Sequence, residues 1–172
     1  MSDSLISMMS NLPDSKGDEP RNLTDDDVKA AMQRLSKANV NVLNDVYRKY
    51  SNAVTSILTT AIKQTKDDSE IIELERLRRL TTLAPLEEMF IRSKDKIWSV
   101  REHIVKKNAD YFIKKDYSKM IKKDHNQAFL ENIIEIVRSK FLDLSPEEQE
   151  FYWIKANTLL KCVIIFEQEM NK

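Results

Sequence analysis

The chain has 172 residues, with 28 basic and 28 acidic side chains and 41% hydrophobic residues. That suits one domain with a real core and is too short for an α/β barrel. Gly17 is the only glycine, where average usage would supply about twelve. Sheet-rich folds that turn on positive φ are therefore excluded, as are phosphate-cradling loops, dinucleotide fingerprints and nucleophile elbows.

Residues 1–23 contain Pro13, Pro20 and Gly17 and read as a disordered acidic tail. Its start, MSDSLISMMSNLPDS, lacks a basic region and holds Asp3, so it is not a secretory signal. Leu5, Ile6, Met8, Met9 and Leu12 could line one face of a short docking helix that orders in a partner's groove.

Thr24 followed by Asp25, Asp26 and Asp27 predicts a helix start: a capping hydroxyl with three carboxylates where the macrodipole favours negative charge. Val28, Met32, Leu35, Asn39, Val42, Val46, Tyr50, Ala53, Ile57 and Ala61 then form one stripe. Its nine intervals span 33 residues, a mean of 3.67, which fits a bundle helix rather than the 3.5 repeat of a zipper. Unbroken from 25 to 66, it would reach roughly 60 Å. Asn39, Asn41 and Asn44 are the expected place for a break, because their amides compete for backbone hydrogen bonds.

Asp67, Asp68 and Ser69 make a polar turn, and Ile71, Leu74, Leu77, Leu80 and Leu83 predict a second helix. Pro85 pushes Ala84 out of the α region and sets a boundary. A third helix carries Leu86, Phe90, Ile97, Val100 and Ile104 inward, with Ser93 as a small polar interruption. Residues 108–124 are mixed. Leu130, Ile133, Ile134, Val137 and Phe141 predict a helix over about 125–142. Ser145, Pro146 and Glu148 spell a capped start with proline in the first turn and a reciprocal glutamate. The last helix is apolar on more than half its circumference from Leu159 onward and belongs at the centre. Its longest apolar run, 158–166, is interrupted by Lys161 and falls far short of the roughly 20 residues needed to span a bilayer. The organisation expected is all-α: the tail over 1–23, a long helix plus a shorter one over 24–84, and a C-terminal helical bundle over 85–172, with the long helix packed on the bundle or extending from it.

Charge is uneven although it sums to zero. Residues 1–27 hold seven acids and two bases, net −5, whereas residues 92–123 hold eleven bases and four acids, net +7. Arg101, Lys106, Lys107, Lys114, Lys115, Lys119, Lys122 and Lys123 lie there among Trp98, Tyr111, Phe112 and Tyr117. A basic, aromatic-rich surface of this kind could gather phosphates and stack bases. The plainer alternative is a solvated helix face with core aromatics and lysine stems over apolar surface; the acidic tail folding back on it is a third.

His103 and His125 sit 22 residues apart without a metal-ligand pattern, and no Glu-x-x-His motif accompanies Glu131 and Glu135 or Glu70 and Glu73. No cofactor, metal or catalytic group is expected. Cys162, the only cysteine, allows no intrachain disulfide and reads as a buried small hydrophobe in an intracellular, reducing setting. Phe151, Tyr152 and Trp153 point in three directions around one helix, so at least one should face something besides the main core. With Tyr50 and Ile57, Tyr152 and Trp153 form the candidate protein interface.

The order Tyr111-Phe112, Asp116-Tyr117-Ser118, a lysine-rich turn, an Ile/Val helix, Ser145-Pro146-Glu147-Glu148, then Tyr152-Trp153 ahead of Leu159-Leu160 resembles small, lysine- and isoleucine-rich helical proteins of nucleocytoplasmic large DNA viruses. The resemblance covers residues 108–166. It implies a virion component or a factor of assembly or replication in the infected cell, and supplies no active-site residues. The function expected is a non-catalytic scaffold or interaction protein that self-associates or holds a protein partner. A nucleic-acid binder using residues 92–123 is the alternative, and an enzyme is not expected.

Overall fold

The computed structural model describes residues 37–115 and 129–172, with scattered positions between 25 and 33. Its described elements are all helical: α1 (Val40–Gln64), α2 (Asp68–Leu83), α3 (Leu86–Ser99), α4 (Arg101–Val105), α5 (Ala109–Lys114), α6 (Phe129–Phe141) and α7 (Pro146–Met170). The all-α expectation holds, with a long early helix packed against the C-terminal one. The residues 1–23 assigned to a tail, including the docking segment 5–12, lie outside the described residues.

The long stripe is not one helix. Asp25, Asp26, Lys29, Ala30 and Gln33 are helical, but the backbone leaves the helix at Lys37–Asn39. Asn39 becomes the N-cap of α1, its side chain accepting from the amides of Asn41 and Val42 at 3.0 and 3.4 Å. That is the amide competition expected there. With 25 residues, α1 is about 37 Å long rather than 60 Å. The reach that would have left a far end unpaired is therefore absent from α1.

Local chemistry sets the other ends. The Asp67 carboxylate accepts from the Glu70 amide at 3.0 Å and starts α2. Ala84, extended before Pro85, ends it. At Ser145 both halves of the capping box form, with Pro146 in the first turn of α7. The helix expected to run through Val100 breaks there into α3 and α4.

The core joins segments from both sides of residue 84. α1 and α7 run antiparallel: the Asn39 amide donates to Glu169 Oε1 at 2.8 Å at one end, and the Tyr152 hydroxyl donates to Gln64 Oε1 at 2.6 Å at the other. Between them Val54, Leu58, Leu160, Val163 and Ile164 are almost wholly buried, and α2 and α3 pack on α1. Leu74 and Leu77 point inward from α2, but Leu83 is 81% exposed and Leu80 and Leu86 lie outside as well. A side chain every third residue drifts about 60° per step on a 3.6-residue helix. The stripe that starts at Ile71 has therefore wound off the core by Leu80. Cys162 is buried as expected, and burial pushes its thiol up to about 11.

Candidate functional surfaces and an apolar cavity

The structure divides the four proposed interface residues. Tyr50 is wholly buried, its ring edge-on to Phe90 at 5.0 Å and its hydroxyl 2.7 Å from Ser93 Oγ. Tyr152 is buried too and tied to Gln64. Both are core residues, because each apolar ring could be buried once its hydroxyl found a partner on another helix. Ile57 and Trp153 are half-buried. The Trp153 ring packs against Phe112 at 6.0 Å and Phe141 at 5.7 Å. Of the aromatic triplet, the half-buried Phe151 carries the Lys155 ammonium over its ring at 5.4 Å.

Each described residue of the candidate basic surface has a partner. Arg101 stacks over Trp98 at 4.6 Å and donates to that residue's carbonyl. Lys106 faces Glu102 at 3.8 Å, Lys107 pairs with Glu150 at 2.7 Å, and Lys114 pairs with Asp110 at 3.2 Å. The Lys115 ammonium lies over Tyr111 at 5.6 Å. Loss of water and the nearby charge of Lys115 together hold Lys96 below the usual lysine range. Lys119, Lys122 and Lys123 lie outside the described residues. His103 stacks on Tyr111, centroids 3.6 Å apart and planes 6° from parallel, with Nδ1 3.2 Å from Asn108 Nδ2. His125 lies outside the described residues, among which no cluster of three metal-ligating side chains occurs and no helix is long and apolar enough to cross a membrane.

Two features were not singled out from the sequence. The first is an apolar corner where α2 meets α3. Leu80 and Leu83, one turn apart, and Leu86, just beyond the Ala84–Pro85 joint, are all exposed, and Ile72, 69% exposed, lies about three turns earlier on the line of Leu83. Arginine and glutamate pairs flank this line, Glu73 with Arg76 and Glu75 with Arg78. The second is a cavity of about 140 Å³, partly open to solvent, beneath α5 and between α6 and the antiparallel pair. Ile57, Phe112, Val137, Phe141, Trp153 and Ala156 are among its walls. Neither feature leaves a local pattern, since each depends on which sides of several helices meet.

The Tyr152 hydroxyl and the Arg138 guanidinium at the cavity are committed to protein partners. Tyr152 donates to Gln64. Arg138 donates to both Glu135 carboxylate oxygens and to the carbonyls of Ile113 and Lys115 at 2.7 and 3.3 Å, holding α5 against α6. No protein-family model, curated protein or solved structure matches this chain.

Proposed function

We propose that the chain is a non-catalytic helical scaffold that works by protein–protein contact, and that the α2–α3 corner is where it first meets a second copy of itself. The observation that carries this reading is the exposure of Leu80, Leu83 and Leu86 together, with Ile72 in line with Leu83. Contiguous apolar side chains rimmed by charge are the usual mark of an interaction surface. The rim favours self-pairing. Each flank carries one acid and one base, so an antiparallel second α2 would set Glu73 of one helix toward Arg76 of the other and Glu75 toward Arg78. The resemblance of residues 108–166 to viral helical proteins supports placing this scaffold in a virion or in the infected cell.

Sedimentation velocity across micromolar concentrations tests it. The wild type should sediment faster as concentration rises, and Leu83→Glu should stay monomeric with an unchanged circular dichroism spectrum. A compact wild-type monomer at every concentration would defeat the reading.

The alternative is a nucleic-acid role for residues 92–123, whose eleven bases against four acids are the feature in its favour. The pairing of Lys106, Lys107 and Lys114 with carboxylates supports the scaffold instead, since a phosphate would have to displace a carboxylate at each. The test is a gel shift at low salt, with charge reversal at Lys106, Lys107, Lys114 and Lys115 as the control.

A further inference from the structure

We infer that the cavity between α5, α6 and the α1–α7 pair is a binding site for a small neutral hydrocarbon group, an aromatic ring or the end of an alkyl chain.

Volume is the first argument. At about 140 Å³ the space is close to that of an engineered apolar cavity of about 150 Å³ that stays dry and takes up benzene or xenon. Wall chemistry is the second. Val54, Ile57, Ile97, Val137, Ala156 and Leu159 contribute only methyl and methylene groups, and Phe112, Phe141 and Trp153 contribute ring surface. A water inside needs two to four polar partners, but the Tyr152 hydroxyl is bonded to Gln64 and the Arg138 guanidinium to Glu135 and two carbonyls. A ligand with its own donors or acceptors would lose hydrogen bonds to water and regain none inside. An apolar one would recover dispersion contacts that the walls lack while the space is empty. The cation in the wall does not select an anionic head group either: Arg138 is already held by both carboxylate oxygens of Glu135. Recognition is therefore by size and apolarity.

Toluene is the probe. Saturable one-to-one uptake should be measurable by headspace chromatography over the full-length protein. The accompanying 1H–13C methyl shifts should fall on Val54, Ile57, Val137 and Ala156. Phenol, of nearly the same shape, should bind about tenfold more weakly because its hydroxyl finds no partner. Ala156→Leu, which places three more carbons in the space, should lower uptake by about tenfold or more. Ile57→Phe serves as a second filling variant should that one fold poorly. Leu83→Glu, at the remote corner, should leave uptake unchanged. The inference is overturned by an absence of saturable uptake, which would mean the chain's own residues occupy the space. It is equally overturned by methyl shifts at Leu80, Leu83 and Leu86 instead, or by uptake that survives both filling variants.

Discussion

The hydroxyls of Tyr50 and Ser93 meet 2.7 Å apart in the buried core, joining α1 to α3 across 43 residues of sequence. Their proton order follows from Ser93's other contact: its Oγ donates to the Met89 carbonyl at 2.8 Å, which leaves Tyr50 as donor and Ser93 as acceptor. Burial pushes the Tyr50 phenol far above its usual range, so it stays protonated and able to donate. Tyr50→Phe removes a bond and strands nothing, because Ser93 keeps Met89; the expected loss is about 1 kcal/mol. Ser93→Ala strands the phenol and should cost about 1–3 kcal/mol. Denaturant melts of the two variants and their double check this order. A Ser93→Ala loss no larger than that of Tyr50→Phe would reverse the proton assignment.

One turn earlier on α1, Tyr47 is the counter-case. Its hydroxyl is buried with no hydrogen-bond partner among the described residues, and burial, with the Glu87 charge behind it, pushes the phenol up to about 12. The ring packs against Phe90 at 5.4 Å and Phe166 at 6.3 Å, contacts phenylalanine would keep. Tyr47→Phe should thus be neutral or stabilise by up to about 1 kcal/mol. A melt showing it more damaging than Tyr50→Phe would mean that the Tyr47 hydroxyl has a partner.

Acid should loosen the molecule first at the two ends of α1. The Glu169 carboxyl is held below the ordinary glutamate range by its hydrogen bond from Lys172 and then by the Asn39 amide. That of Glu70 is held low by Lys140 and then by the Thr65 hydroxyl. Folding therefore favours the ionised forms. Their stabilisation is complete above the ordinary glutamate range and is lost as pH falls through the depressed folded values. Amide exchange at Asn39 should speed up in that window, and Glu169→Gln should flatten the pH dependence there. Faster exchange on raising the pH from neutral, after correction for intrinsic rates, would contradict the sign.

Lys107 occupies a position where glycine is the usual choice. It has φ 50° and closes α4 with paired bonds, its own amide to the Ile104 carbonyl at 3.1 Å and the Asn108 amide to the His103 carbonyl at 2.9 Å. This left-handed ending disfavours any residue with a Cβ. Lys107→Gly should stabilise relative to Lys107→Ala by about 1 kcal/mol, the reverse of the order inside a helix. Both variants lose the exposed Glu150 pair equally, so the comparison isolates the backbone. Thermal melts that rank alanine above glycine would remove the strain.

Several helix boundaries were legible because they are written in neighbouring residues, whereas the break at Val100 carries no such signal. Ser145 with Glu148, Asp67 before α2 and Pro85 after it each act within four positions. Asn39 was legible as a place to break, but the stripe kept its phase on both sides, and phase alone does not distinguish one helix from two. Nothing near Tyr50 or Tyr152 in sequence could satisfy a buried phenol. Their partners, Ser93 and Gln64, stand 43 and 88 residues away. Lys107, a candidate basic-surface residue, meets Glu150 only through folding, from 43 residues on. Burial of polar groups is decided by tertiary meetings of this kind, which periodicity does not encode.

The antiparallel pairing of α1 with α7 also bears on synthesis. Asn39 and Glu169 are 130 residues apart, so the surface that α7 will cover is already translated while its mate is still inside the ribosome. At about 5–20 residues per second, that interval lasts on the order of ten seconds. Throughout it, the greasy sides of Val54, Leu58 and Phe90 must be sheltered by a chaperone or by provisional contacts, and the finished packing arrives only when Leu160, Val163 and Phe166 leave the exit tunnel.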